Sequence, residues 1–266
     1  MRLPFVCRRV WWLAILVFCT TMALHTPALA DVEHFAYTYH WFTPRKGELE
    51  IGLLHTQPTS GRNFQNMLEA EYGVTNRYVV EAYLIGNRNG GFRDFSETSG
   101  DADEGGGNNI FDPIRNGSAY RYGGWKVEQR YRLGNYAQNR LLFAGYLEYA
   151  ALRGLNPELE GKIIMQYDPN SRWTIAANLI AEQPLNPRFQ TEWGYSLGAA
   201  YIADQKYYSY WFGGEAFGNW SGKQHWIGPS GGGYIGPNTR LIGTYGKQIQ
   251  GSGGDVFRIK LSHEFR

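Results

Sequence analysis

Three groupings of residues in this chain have types and spacings that could do chemistry. Ser262-His263-Glu264 sets a hydroxyl, an imidazole and a carboxylate side by side, the components of a nucleophilic triad. Asp101, Asp103 and Glu104, with Asn108 and Asn109 close behind, cluster hard oxygens of the kind Ca²⁺ takes. The third and largest grouping is a series of charges at alternate positions. It begins with Glu48, Glu50, Glu69, Glu71 and Glu81 and continues with Lys126, Glu128, Arg130 and Arg132. Later members are Glu148, Glu158, Glu160, Lys162, Glu192 and Glu215, and Arg258 and Lys260 come last.

The first grouping fails on geometry, and the second departs from its motif. Neighbours on a strand point to opposite faces, so His263 meets neither Ser262 nor Glu264 locally, and no catalytic residue is assigned. The Asp101 to Glu104 cluster lacks the Gly at position six and the Glu at position twelve of an EF-hand loop. It remains a weak Ca²⁺ candidate, read in the first instance as a solvated acidic loop. No metal centre or cofactor is expected.

The alternating charges point to the elements that must position them. Period-2 alternation recurs in about twelve segments of roughly ten residues, the length at which a tilted strand crosses a bilayer. In Arg121 to Leu133, Trp125, Val127, Tyr131 and Leu133 alternate with Lys126, Glu128, Arg130 and Arg132. Gly47 to His55, Phe64 to Val74, Glu158 to Tyr167, Trp173 to Glu182 and Thr191 to Ile202 repeat the form, and Asp255 to Phe265 closes the series. Weaker segments are Tyr78 to Ile85, Leu141 to Ala150, Tyr207 to Phe217, His225 to Ile235 and Arg240 to Ile249. Pro229 interrupts one of them by removing a ladder donor. Short turn-rich links alternate with longer ones, as in an up-and-down topology whose long loops face outside.

Composition narrows the class. The first thirty residues carry Arg2, Arg8 and Arg9, then an apolar run from Trp11 to Met22, then Ala28-Leu29-Ala30, the three parts of an export signal. The expected division is therefore a cleaved signal over 1–30, a barrel over 47–266, and a piece over 31–46 that is a lead, a plug or an extra strand. Both cysteines, Cys7 and Cys19, fall inside the signal, which leaves no disulfide, haem-attachment or cysteine-zinc chemistry. Mean hydropathy is −0.43, and Lys and Arg total 26 against 24 Asp and Glu. A near-neutral chain has no footprint for nucleic acid, and no segment after Ala30 has the apolar length of a membrane helix. Aromatic residues are abundant, with 19 Tyr, 14 Phe and 9 Trp, which suits a wall with one greasy and one wet face.

A soluble barrel would carry the same alternation with its faces exchanged. The export signal, the strand number and the Trp and Tyr near strand ends favour the membrane version. The chain resembles Gram-negative outer-membrane β-barrel proteins, porin-like and otherwise uncharacterised. The resemblance rests on Gly47-Glu48-Leu49-Glu50-Ile51-Gly52, on Glu69 to Arg77 and on the terminal Val256 to Phe265. In that terminal stretch Phe257, Ile259, Leu261 and Phe265 resemble the signal read by the barrel-assembly machinery, although Arg266 follows the final aromatic. The resemblance implies an all-β transmembrane antiparallel barrel in the outer membrane, reached through the periplasm. Its expected partners are outer-membrane lipid, lipopolysaccharide and small polar solutes.

Twelve strands about 4.8 Å apart and tilted by about 40° enclose a backbone diameter of roughly 25 Å, and inward side chains narrow it to about 10 Å. Two readings of the inward charges stay open at this point. They set up a transverse field that selects small polar solutes, or they pair with one another and fill the lumen. Arg258 and Lys260, on the last strand, are expected beside the face of Glu48 and Glu50 on the first. Other functions to weigh are loop-mediated surface binding or adhesion and lipid hydrolysis. None of His34, His40, His55, His225 or His263 has the Ser two positions on that such barrel hydrolases use.

Overall fold

The computed structural model describes residues 33–41, 44–59, 64–88, 120–134, 140–203 and 210–265. The Ca²⁺ candidates Asp101, Asp103 and Glu104 lie outside these residues, as does the expected export signal.

Twelve strands form one closed antiparallel barrel in which each strand pairs with its neighbours in sequence and the last with the first. They are β1 (Leu49–Pro58), β2 (Phe64–Gly73), β3 (Tyr78–Arg88), β4 (Tyr120–Leu133), β5 (Leu141–Leu152) and β6 (Glu158–Asn170). Then come β7 (Trp173–Pro184), β8 (Glu192–Ile202), β9 (Tyr210–Asn219), β10 (Gln224–Tyr234), β11 (Thr239–Gln250) and β12 (Val256–Phe265). Closure is made by β1 and β12, from Leu49 opposite Phe265 to Pro58 opposite Val256. A closed wall leaves no edge strand, so the ladder groups pair between strands instead of with water, which a bilayer requires.

The alternation sorts side chains to the two faces in the sense that separates a membrane barrel from a soluble one. Leu53, Leu68 and Ile163 are 50%, 50% and 55% exposed on the outside, whereas Glu69 and Glu81 are 0% and 1% exposed inside. A soluble barrel buries its aliphatic face; this one presents it, with Trp125, Tyr131, Trp173, Trp193 and Tyr210 among the exposed aromatics. Trp173 packs edge-on against Tyr201, with Arg172 of the adjoining turn over the Tyr201 ring and bonded to its hydroxyl, an amphipathic cluster suited to a headgroup level.

Pro229 is accommodated without ending β10. The strand pairs continuously with β9 from Gln224 to Gly233. On the β11 side, Gly228 and Pro229 are skipped between Ile227 opposite Lys247 and Ser230 opposite Thr244, and a bulge sits at His225/Trp226. Proline's missing donor thus falls where the ladder is already interrupted.

Candidate functional site: the charged lumen and its plug

Register turns the scattered inward glutamates into one continuous row. Glu264 on β12 lies opposite Glu50, Glu50 opposite Glu71, Glu71 opposite Glu81 and Glu81 opposite Glu128. Glu128 then faces Glu148, Glu148 faces Glu160, Glu160 faces Glu182 and Glu182 faces Glu192. A row of paired residues runs across the strands, and strands in a barrel tilt, so the row climbs as it goes round. It starts at the short-turn rim, where Glu50 opens β1 and Glu264 ends β12, and reaches the opposite rim at Glu192, the first residue of β8.

Like charges directly opposite one another on neighbouring strands are destabilising, so the row needs cations beside it. Arg130 supplies the densest relief, with Nη2 3.0 Å from Glu71, 3.4 Å from Glu81 and 3.6 Å from Glu128. Lys126 meets Glu148 at 3.1 Å and Lys162 meets Glu160 at 2.6 Å. Arg240 on β11 holds both oxygens of Glu50. Lys260 on β12 bridges Glu69 and Glu33, each at 2.8 Å. The ions of the inner wall are therefore largely paired, as buried ions must be.

Residues 33–41 lie inside the barrel. Glu215 of β9 anchors them: its carboxylate accepts the backbone N–H groups of Ala36, Tyr37 and Thr38, each at 2.9 Å, and the Thr38 hydroxyl at 3.1 Å. Three successive N–H groups turned onto one carboxylate form an anion-binding nest, here satisfied by the wall itself. Further along, Asn178 of β7 accepts the Tyr39 N–H at 2.7 Å and Gln166 of β6 accepts the Trp41 N–H at 3.0 Å. Both ends of the segment reach the short-turn side. There the His34 carbonyl accepts from the Trp211 indole near the start of β9, and the Trp41 indole donates to the Leu133 carbonyl at the end of β4.

Aromatic rings complete the plug. Phe35 stacks on His40, and Tyr37 stacks on Phe217 with centroids 3.9 Å apart and the Arg258 guanidinium 3.9 Å above its ring. Lys162 Nζ lies 4.1 Å from the Tyr39 ring centre and 4.2 Å from that of Tyr146, a cation held between two π faces. Gly198 makes room for Phe35, since a Cβ there would stand 2.8 Å from its ring. Among the described residues, a cavity of about 40 Å³ lies between the plug and β1 to β6 with β12, space for about three waters. Its wall includes Glu69, Glu81, Glu148 and Glu160, with Tyr83, Lys126 and Lys260 between them.

Most residues expected to face inward do so. Glu50, Glu69, Glu71, Glu81, Lys126, Glu128, Arg130, Arg132, Glu148, Glu160, Glu215, Arg258 and Lys260 are buried inside the wall, and the Lys162 side chain is 8% exposed. Glu158 and Glu192 are half-buried at the long-loop rim. Glu48 precedes β1 and accepts the Arg45 N–H in the lead-in turn, outside the row. The expected neighbourhood of Arg258 and Lys260 is corrected by register. Glu50 opposes Glu264, which sets Lys260 opposite Leu54 and Arg258 opposite Thr56, so Arg240 takes Glu50 instead. Arg240, Glu182 and Glu264 also belong to the wall and were not among the expected wall charges, although each stands at or next to the end of an expected segment on its inward parity.

Carboxylate oxygens of Glu50, Glu69 and Glu71 lie within 4.8 Å of one another, the one arrangement among the described residues that could hold a metal ion. Each already has a cationic partner in Arg240, Lys260 or Arg130. Ser262 and His263 diverge as strand geometry requires: Ser262 accepts from Arg240, and His263 Nδ1 lies 2.8 Å from the Thr239 hydroxyl. Phe257 and Leu261 point outward on β12 and are each 37% exposed.

An apolar exterior, a charged interior and twelve strands closed without an edge define a transmembrane β-barrel of the outer-membrane porin fold. Among solved structures the chain is similar to the COG4313 outer-membrane channel of Pseudomonas putida F1, with a TM-score of 0.55 and 11% identity over 88% of this chain and all of that one. It is also similar to the KdgM porin, with a TM-score of 0.54 and 9% identity over 82% of this chain and 99% of that one. The NanC porin follows at 0.50 and 7%, with the same coverage. No protein-family model and no curated protein matches the sequence.

Proposed function

We propose that this chain is a narrow porin-like channel of a Gram-negative outer membrane, passing small polar solutes along the charged inner wall. The observation that carries the reading is the row from Glu264 to Glu192, which joins the two rims with polar side chains inside an otherwise apolar-coated barrel. A barrel that served only as a surface anchor has no need of a polar track from rim to rim. The similar barrels support it, since they are channels and porins, and the KdgM porin has been solved in complex with an oligogalacturonate.

In this reading the segment 33–41 narrows the lumen from the short-turn side, which is the periplasmic side of such barrels. The outward Phe257, Ile259, Leu261 and Phe265 of β12 face lipid and present the assembly machinery with its terminal strand. Lipid and lipopolysaccharide contact the aromatic and aliphatic exterior. The wall does its work by binding and orienting solute, not by catalysis. Swelling of liposomes that contain the refolded protein, in isotonic solutions of small neutral and charged sugars, tests the proposal. Swelling faster than in protein-free liposomes is expected; equal rates for every solute overturn it.

A further inference from the structure

We infer that the lumen selects cations, and that the solutes it takes are small and positively charged, amine-bearing molecules above all. The inference rests on the channel reading and names its solute class. Its first support is the row itself: nine glutamates in unbroken cross-strand register from rim to rim, with no Lys or Arg inserted in the row. The protein's own cations sit beside the row and do not match its number. Among the described residues, the buried wall holds eleven carboxylates against seven Lys and Arg side chains, counting Lys162. The difference is a surplus of acidic groups, which protons or mobile cations must neutralise.

The second support is independent of the count. Glu69 Oε2 and Glu81 Oε1 are fully buried carboxylate oxygens that receive no N–H or O–H donor from the wall, and both residues line the cavity beside the plug. A buried carboxylate oxygen left without a donor is costly, and it is the acceptor an ammonium group entering that cavity would find. Tyr39 and Tyr83 stand in the same wall, and Tyr39 already holds Lys162 Nζ against its face. An alkylammonium carries its charge to the carboxylates and its methylenes and N–CH₂ edge to the rings, which is the pairing that cation–π sites use. A carboxylate solute would meet the same oxygens with repulsion.

Planar-bilayer recordings of the full chain test this. In a KCl gradient the reversal potential is expected to give a K⁺ over Cl⁻ permeability ratio of about ten or more, the lower end of the enrichment that a single-sign cleft produces. 1,4-Diaminobutane is expected to permeate or block at concentrations where succinate, a dianion of the same chain length, does neither. Glu81→Gln, which removes charge and keeps shape, should lower the ratio; Glu182→Gln, near the far rim and away from the Arg130 cluster, serves the same purpose should the first variant fail to fold. A current that is unselective or prefers Cl⁻ overturns the inference and leaves the channel reading standing. No current at any voltage overturns the channel reading, and the inference with it.

Discussion

Glu215 shows how much one inward residue can organise. Its carboxylate receives three backbone N–H groups and the Thr38 hydroxyl of the plug, and the Thr244 hydroxyl of β11. Hydrogen bonds to a charged group are worth about 1.5–3 kcal/mol each and do not add fully. Glu215→Ala is therefore expected to loosen residues 36–38 by about 3 kcal/mol while the barrel stays closed. Amide exchange at those three positions should quicken on the order of a hundredfold, and unchanged protection would show that the plug is held elsewhere.

A second residue-scale prediction concerns pH. Asp255, in the turn between β11 and β12, accepts the Tyr245 hydroxyl and the Gln248 N–H, and the hydroxyl first and the amide second hold its carboxyl below the ordinary range. A carboxyl lowered in the folded state contributes order that is present above its unfolded pKa and is lost as pH falls through the folded one. The Gln248 amide should stay protected at neutral pH and become exposed to exchange only under strongly acid conditions. Loss of protection near neutrality would contradict this clamp.

The strands themselves were legible in the sequence, because a wall that is wet on one face and greasy on the other writes itself as period two. All twelve segments exist, with ends moved by a few residues: Tyr78 to Ile85 extends to Arg88, and the segment ending at Phe217 runs on to Asn219. Parity was legible too, which is why most inward charges were found. Register was not, since alternation says which face a residue takes but not which residue lies opposite. The unbroken glutamate row and the Arg240 to Glu50 pair belong to that level.

The plug was hidden for another reason. The alternating Phe35, Tyr37, Tyr39 and Trp41 are visible, but their partners Glu215, Asn178 and Gln166 lie 178, 139 and 125 residues away. At the scale of the element, the facing of the wall can be checked from the lipid side. Ile163, midway along β6 and exposed, should cost about 2–4 kcal/mol when changed to Arg if it sits near the bilayer centre. Equilibrium unfolding of the variant in lipid vesicles measures it. A cost near zero would place that face in water.

For the whole molecule, two features compete for the same lumen. The row of glutamates offers a continuous polar track, while residues 33–41 occupy the middle and leave a cavity of about 40 Å³ beside it. The sequence left field and filling as alternatives, and the inner wall contains elements of both. Its ions are paired as in a filled barrel, yet it keeps a surplus of acidic groups and carboxylate oxygens without a donor as in a selective one. In a channel of this design the width is set by the plug and the selectivity by the wall, so the two should be separable by mutation. The measurement that tests this most directly is single-channel conductance of the full chain compared with a variant lacking residues 33–41. Small unitary currents that grow several-fold when the segment is removed, on the order expected for unblocking a bore of about 10 Å, are the predicted result. Absence of current from the full chain, or currents that do not grow when the segment is removed, would contradict the account.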